Sequence, residues 1–526
     1  MPRAKTRQKT TLQQVPVLGA GFSGLNTELQ TLEGLQNPTW ATVLENAVWD
    51  NQGRVSLRKG YTVQTTTPAT GAPTFHVLHE FLQADGSVEI IAMGSDFKIW
   101  MSADEGATWT DISGSLSTAR TDWTFVNYYG ECYATGPGSK IWQYTGVGTF
   151  TEIATSPVTR GILLSAFGRL WAAVDADSTI FYSALLDGTD WTGTTTGSID
   201  TSNVWTQGYD IIQGIYAFGS TFVVFGREHI LMYVDGSGSV VGIDPENMYV
   251  VDTVEGTGLR ERDSVVNIGE GDLWFISPEG VQSLARVVQD KTNPLVSVSS
   301  NVRSKVRDLL QNQSGEANSV QAIYSPEEHM VLFNFTGDNE MLMFDTQMQD
   351  QDGAYRSAVW TGTGDRFSLL YRRDGTLWYG LNTGEVAKYQ NYRDDTTGAD
   401  TVYDLVFATP WLDAGAHNNI KMVKGFYGHF YGRETLTATA RWAFDYRPLE
   451  FSEAFTNDYL SSGAEFGVGE FGEDEFGTGH RFRRQYVGGM GEGQFFKLWI
   501  TVQSTDVDAV VAIQEVGASV KFGRQV

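Results

Sequence analysis

The amino-acid sequence predicts an all-β protein, and three observations carry that expectation. A short apolar step ending in Trp recurs along the chain, one stretch matches a known β-hairpin motif in full, and 58 Gly accompany a hydrophobic content of 41% and an aromatic content of 13%. The recurring step is a Gly- or Asp-containing turn, a basic or polar residue, then Ile-Trp or Leu-Trp. It occurs as Lys98-Ile99-Trp100, Lys140-Ile141-Trp142, Arg169-Leu170-Trp171, Asp272-Leu273-Trp274 and Thr376-Leu377-Trp378. The two long gaps each hold a further apolar hairpin, at 222–225 and 330–333, which brings the count to about seven units near the ~40–50 residues of a four-stranded blade. A single twisted four-stranded sheet cannot bury both faces, so such units stack radially with aromatic side chains between them. The expected fold is therefore a β-propeller of about six to seven blades.

The units set the domain layout. An N-terminal arm and first hairpin occupy 1–60, the propeller 61–392, and a β-rich C-terminal domain 400–526, after the polar stretch 393–400. The first hairpin turns at 50–53 and continues as a strand in which Val55 and Leu57 alternate with Ser56 and Arg58. Around Gly280, LWFISPEGVQSL reads as strand, turn and strand. One helix interrupts the pattern at 299–313, with Ser300 or Asn301 as its cap and Val302, Val306, Leu309 and Leu310 on one face. Further strands are expected near 403–409, 421–428, 434–444, 496–503 and 510–516.

Composition narrows the class of function. The 526 residues carry a formal charge of −26, which aids solubility, repels phosphate at long range and argues against tight non-specific DNA binding, but not against a channel that DNA slides through without sticking. The single cysteine, Cys132, excludes an intrachain disulfide and fits folding in a reducing cytoplasm. No apolar run approaches the ~18 residues of a membrane span, and the basic first residues are not followed by an apolar signal core.

Several motifs invite chemical readings. Gly19, Gly21 and Gly24 fit GxGxxG, but Pro16 interrupts the preceding strand and no βαβ unit follows, so a turn is expected and no cofactor. His76 and His79 lie three apart in a strand, hence on opposite faces, and no metal site is expected there. Residues 102–109, SADEGATW, fit the Asp-box SxDxGxTW, with Ser102 and Asp104 holding the loop, Gly106 supplying a positive φ and Trp109 packing inward. A shortened version follows at 183–191. Asp-box propellers include sialidases, so a carbohydrate-active propeller, sialidase-like or a receptor-binding tail protein, is the alternative reading. The Phe/Tyr-Arg-Ile-Pro motif of sialidases is absent and no paired acid and base emerges, so no residue is assigned a catalytic role.

A further resemblance rests on short motifs. Asn46, the turn ending Gly53-Arg54, and Arg58-x-Gly60-Tyr61 precede the first blade; GRLWAAVDADSTIFYSALLDGTDWTG, FGSTFVVFGREHILMY and the helix before the strand pair at 320–344 follow. Together they resemble the tail nozzle, or packaged-DNA stabilisation, proteins of short-tailed bacteriophages, over most of the first 390 residues. The resemblance implies a non-enzymatic structural protein of the virion tail, synthesised in the host cytoplasm. It implies a six-fold ring of copies that continues the channel of the portal and adaptor, retains packaged DNA and passes it at infection without sequence-specific contacts. The implied partners are further copies of the chain, portal and adaptor, tail fibre or spike proteins, and the host cell surface.

Two stretches depart from that family and are candidate docking segments. The basic residues Arg3, Lys5, Arg7 and Lys9 oppose the acidity of the chain. At 464–478, three Glu-Phe-Gly triplets recur every five residues around Phe466, Phe471 and Phe476, the composition of a loop that orders on a partner.

Overall fold

Each blade grows from the same local physics: a Gly or Asn turn with positive φ reverses the chain, and apolar strand residues on both faces demand cover from the next sheet. The computed structural model describes residues 12–18, 22–28, 39–174, 178–205, 210–236, 243–269, 271–291, 297–313, 319–349, 353–396, 399–432, 436–457, 481–488, 491–504 and 510–525. These residues fall into two compact units, one comprising 63–355 and 362–389, the other 1–62, 356–361 and 390–526.

The first unit is a β-propeller. Its first four blades are four-stranded antiparallel sheets, beginning with Phe75–Leu82, Thr124–Tyr128, Thr159–Ala166 and Gly214–Phe218. Two later blades begin with Val320–Ser325 and Arg366–Tyr371. Between the fourth blade and the one that begins at Val320 lies a short sheet whose innermost strand, Val266–Asn267, has two residues, followed by Leu273–Ser277, Gly280–Ser283 and the helix α1 (Leu284–Asp290). The ring thus holds six blades with an inner strand of five residues or more and one reduced sheet. Its cores lie between blades: Phe81, Trp123, Trp142 and Tyr144 join the first and second, and Trp171, Tyr182, Phe222 and Tyr233 the third and fourth.

The recurring Trp residues are all buried but do not hold one structural position. Trp100 and Trp142 lie on the third strand of their blades, whereas Trp171, Trp274 and Trp378 lie on the second. That switch is why their spacing along the sequence drifts. The expected helix forms as a 3₁₀ turn, Ser300–Val302, and α2, Arg303–Gln311, burying Val302, Val306, Leu309 and Leu310. Neither Ser300 nor Asn301 caps it: α2 has no side-chain cap, and Asn301 donates instead to the Tyr355 carbonyl (3.2 Å). The helix α1 was not expected; it is capped by Ser283, whose Oγ accepts from Arg286 N–H.

The second unit packs two sheets face to face. One contains Leu12–Leu18, Ala47–Trp49, Val55–Leu57, Asn419–Gly432, Arg481–Val487 and Ala512–Gln525; the other contains Val43–Glu45, Leu405–Ala408, Leu436–Phe444, Phe451–Asn457 and Phe496–Ser504. Phe426 and Phe430 of the first meet Trp442 (5.6 Å) and Phe455 (5.6 Å) of the second. The first hairpin does not stand apart: Val55 and Ser56 pair with Ile513 and Ala512.

The alternation expected there fails for a physical reason. Ser56 and Arg58 are as buried as Val55 and Leu57, because Arg58 is the centre of a polar knot. Its Nη1 and Nη2 donate to the two carboxylate oxygens of Asp394 (3.1 and 2.9 Å), its Nε donates to Asn46 Oδ1 (3.0 Å), and its guanidinium stacks 3.7 Å above the Tyr403 ring. Asn46, at φ +54, also donates to Thr361 Oγ1 (3.0 Å) and to the Asp404 carbonyl (2.9 Å). A buried bidentate ion pair with its remaining donors satisfied specifies one geometry, and removing one partner strands the other charge.

Gly60, two residues on, admits no side chain: a Cβ would lie 1.9 Å from the Arg393 carbonyl oxygen. Gly60→Ala is expected to destabilise this unit by about 2–3 kcal/mol or more through backbone displacement, read as an earlier denaturant transition in circular dichroism.

Candidate functional site

Ring closure is the first place where sequence motif and geometry meet. The Asp-box forms a tight loop in which Ser102 Oγ donates to Asp104 Oδ1 (2.7 Å) and accepts from Gly106 N–H (2.8 Å). The Asp104 carboxylate accepts from Thr108 N–H (2.9 Å) and Thr108 Oγ1 (2.6 Å). Gly106 takes φ +83, and a Cβ there would lie 2.2 Å from Val386 Cγ2. Trp109 is half-buried, its ring 4.6 Å from Phe75.

The segment leading into the first blade threads between this loop and the last blade. Thr65 Oγ1 donates to the Gly106 carbonyl (2.8 Å) and accepts from Val386 N–H (2.9 Å). Gln64 N–H donates to the Val386 carbonyl (2.9 Å), and the Thr66 and Thr67 N–H groups both donate to the Ala107 carbonyl (3.0 Å each). Arg372 on the last blade reaches Glu80 on the first (3.1 Å). The hairpin loop that marks Asp-box propellers is here part of the clasp that closes the ring.

The second site is the axis. A cavity of about 190 Å³ opens among the inner strands, lined by Val77, His79, Phe125, Asp263 and Gln321 among others. Arg262 lies across the ring beside it, buried to 7% exposure, with Nη1 donating to the carbonyls of Asp122 (3.1 Å) and Gly161 (2.7 Å), where the second and third blades begin. Asp263 holds the other edge of the guanidinium at 2.6 and 2.9 Å. Burial raises the Asp122 carboxyl, but the bond from Arg120 and the charge of Arg262 outweigh it and hold the group below its usual range. Burial lowers both His76 and His79. The two histidines diverge: His79 Nε2 meets Asn127 Oδ1 of the second blade (2.9 Å), while His76 packs on Phe367 of the last (5.8 Å).

Glu261, next to that strut, is the axial carboxyl least offset by a cation. Arg260 Nε is 3.6 Å away and Ser319 Oγ 3.5 Å, and burial raises its pKa from 4.5 to about 7. Chemically the arrangement is a strut with one proton-holding acid; the acids Asp122, Asp263 and Glu80 are each held by an arginine. Among the described residues, no group of three or more His, Cys, Asp and Glu side chains could hold a metal ion. Cys132 is fully buried, and burial raises its thiol well above the usual range.

Sequence reading located the Asp-box and missed the strut. The available signal was Arg260-Glu261-Arg262-Asp263, four consecutive charges of alternating sign. The run of three threonines at 65–67 was likewise the mark of the closing segment. Of the GxGxxG glycines, Gly24 is not in a turn: it opens the two-residue strand Gly24–Leu25, paired in parallel with Trp40–Ala41, and its φ of +97 brings it against the Ser357 backbone; Gly19 and Gly21 lie outside the described residues. So do Arg3, Lys5, Arg7, Lys9, Phe466, Phe471 and Phe476.

No protein-family model and no curated protein matches the chain. Similar solved structures include the WD40 β-propeller domain of Doa1 (10% identity, TM-score 0.39, covering 63% of this chain and 96% of that one). The extracellular domain of a one-component system from B. thetaiotaomicron aligns at 10% identity and TM-score 0.41 over 64% of this chain, but only 40% of that longer chain. YCF48 bound to a D1 peptide aligns at 14% identity and TM-score 0.37, covering 64% and 96%.

Glu261 binds its proton more tightly in the folded state than in the unfolded one. Its contribution to stability is fully present below about pH 4.5 and is lost as pH rises through about 7. Glu261→Gln is expected to match the parent chain in thermal melts near pH 4.5 and to exceed it at about pH 8, by up to about 3 kcal/mol. Asp104→Ala, which removes the acceptor of Thr108 N–H, is expected to cost about 1–2 kcal/mol and to raise hydrogen exchange in residues 64–67 before the other blades.

Proposed function

We propose that this chain is a virion structural protein that forms the tail nozzle ring of a short-tailed phage, continuing the DNA channel, retaining packaged DNA and passing it at infection. The observation that carries the reading is the knot of Asn46, Arg58, Asp394 and Tyr403. The motif behind the nozzle resemblance, Asn46 through Arg58-x-Gly60-Tyr61, is bonded residue by residue: besides the knot, Arg54 Nε donates to Asp50 (2.5 Å) and Tyr61 N–H to the Arg393 carbonyl (3.1 Å). A motif whose charged and amide side chains Asn46, Arg54 and Arg58 are held by buried or half-buried partners constrains sequence for reasons of fold, which is what a family signature in a structural protein requires.

Two further features support the reading. Arg262 obstructs the propeller's own axis, so a DNA conduit in this account is assembled between copies arranged around a common axis. The net charge of −26 keeps such a conduit from gripping phosphate. The protein is then non-enzymatic, with further copies, portal, adaptor, and fibre or spike proteins as neighbours in the virion tail.

A second reading, a receptor-binding tail protein that contacts glycans, draws on one observation. Trp411, Tyr446 and Phe495 form a surface row with ring separations of 4.9 and 5.4 Å, and Tyr446 is 50% exposed at φ +61. Such a row suits stacking on sugar rings.

Mass spectrometry of purified DNA-filled particles tests the first reading. About half as many copies of this chain as of the portal protein are expected, from a six-fold ring beside a twelve-fold portal; absence from particles would overturn it.

A further inference from the structure

The outer edges of the blades differ in a way the ring itself does not require. The outermost strands of the first three blades are Thr110–Asp111, Thr151–Glu152 and Gly197–Asp200, two to four residues each, the short edges by which soluble β proteins avoid pairing with other chains. On the fourth blade the outermost strand is Met248–Glu255, eight residues reading MYVVDTVE, with no Pro, Lys or Arg. Its inward residues Met248 and Val250 pack on the blade core, whereas Tyr249 and Val251 are each 53% exposed. Among the described residues no strand pairs with its outer side. One end is partly covered: Leu284 and Val287 of α1 pack with Val254, and Lys291 pairs with Asp252. The open stretch is Met248–Val251, entered from the acidic turn of Asp244 and Glu246.

We propose that this edge receives residues 3–10 of a second copy by strand addition. Arg3, Lys5, Arg7 and Lys9 fall at every second position, alternating with Ala4, Thr6, Gln8 and Thr10. In an extended strand all four cations share one face and the small or polar residues the other. The open stretch offers four ladder positions, which the extended backbone of this segment fills with residues to spare, and its cations complement Asp244 and Glu246. The segment's positive charge runs against the −26 of the whole chain, and no strand among the described residues pairs with the outer side of the edge it would meet. The inference concerns two copies of the chain and does not depend on a phage particle, so its outcome is separate from the copy-number test.

Mixed single-cysteine chains provide the experiment. Full-length Thr6→Cys and Tyr249→Cys proteins are prepared separately, mixed and mildly oxidised; the native Cys132 is fully buried and does not compete. A disulfide-linked two-chain product is expected. Its yield should fall at least tenfold when Arg3, Lys5, Arg7 and Lys9 are changed to Glu, fall at high salt, and fall with Val251→Lys, a change at an exposed site that leaves the melting temperature in place. The proposal is overturned if the mixture links no more than a control in which Phe97→Cys, at another exposed position, replaces Tyr249→Cys. It is equally overturned if linking occurs only within a chain carrying both cysteines.

Discussion

Closure of the ring is the constraint on which the propeller depends. Blades are held by aromatic contacts between neighbours, and a ring of such contacts is only as stable as the joint where its two ends meet. In this chain the joint is a three-layer clasp. Thr65 bonds at once to the Asp-box carbonyl of Gly106 and to the amide of Val386, while Arg372 ties the last blade to Glu80 of the first. Gly106 is required twice over, by its φ of +83 and by the 2.2 Å that a Cβ would leave to Val386. The Asp-box therefore has an architectural use that needs no substrate.

A second polar element works inside the ring. Arg262 satisfies carbonyls at the start of two other blades, and its cost of burial is offset by Asp263 and by the charge on Asp122. Glu261 beside it lacks a comparable partner and holds its proton to about pH 7. In the other unit, the Asn46–Arg58–Asp394 knot fixes one geometry through a buried bidentate ion pair.

Much of this was legible in the sequence, and the failures have physical causes. Trp steps revealed the propeller because a Trp between blades buries more area than any alternative. They blurred the period because Trp142 sits on a third strand and Trp171 on a second. The alternation of Val55-Ser56-Leu57-Arg58 pointed to a half-exposed strand and was misleading, since a buried ion pair disguises an interior position as a surface one. The helix α1 is seven residues long, too short for its period to stand out from the strand before it. The threonine run and the run of four charges mark the positions of Thr65 and Arg262, but their partners Val386 and Gly161 lie far along the chain and leave no trace beside them.

Hydrogen exchange of the full chain, followed by mass spectrometry, tests the closure account most directly. If the clasp holds the ring, residues 63–69, 104–109 and 384–389 exchange as one cooperative set, with protection close to that of the inner strands. If residues 63–69 exchange freely while the first and last blades stay protected, the ring is held by blade packing alone and the clasp is incidental.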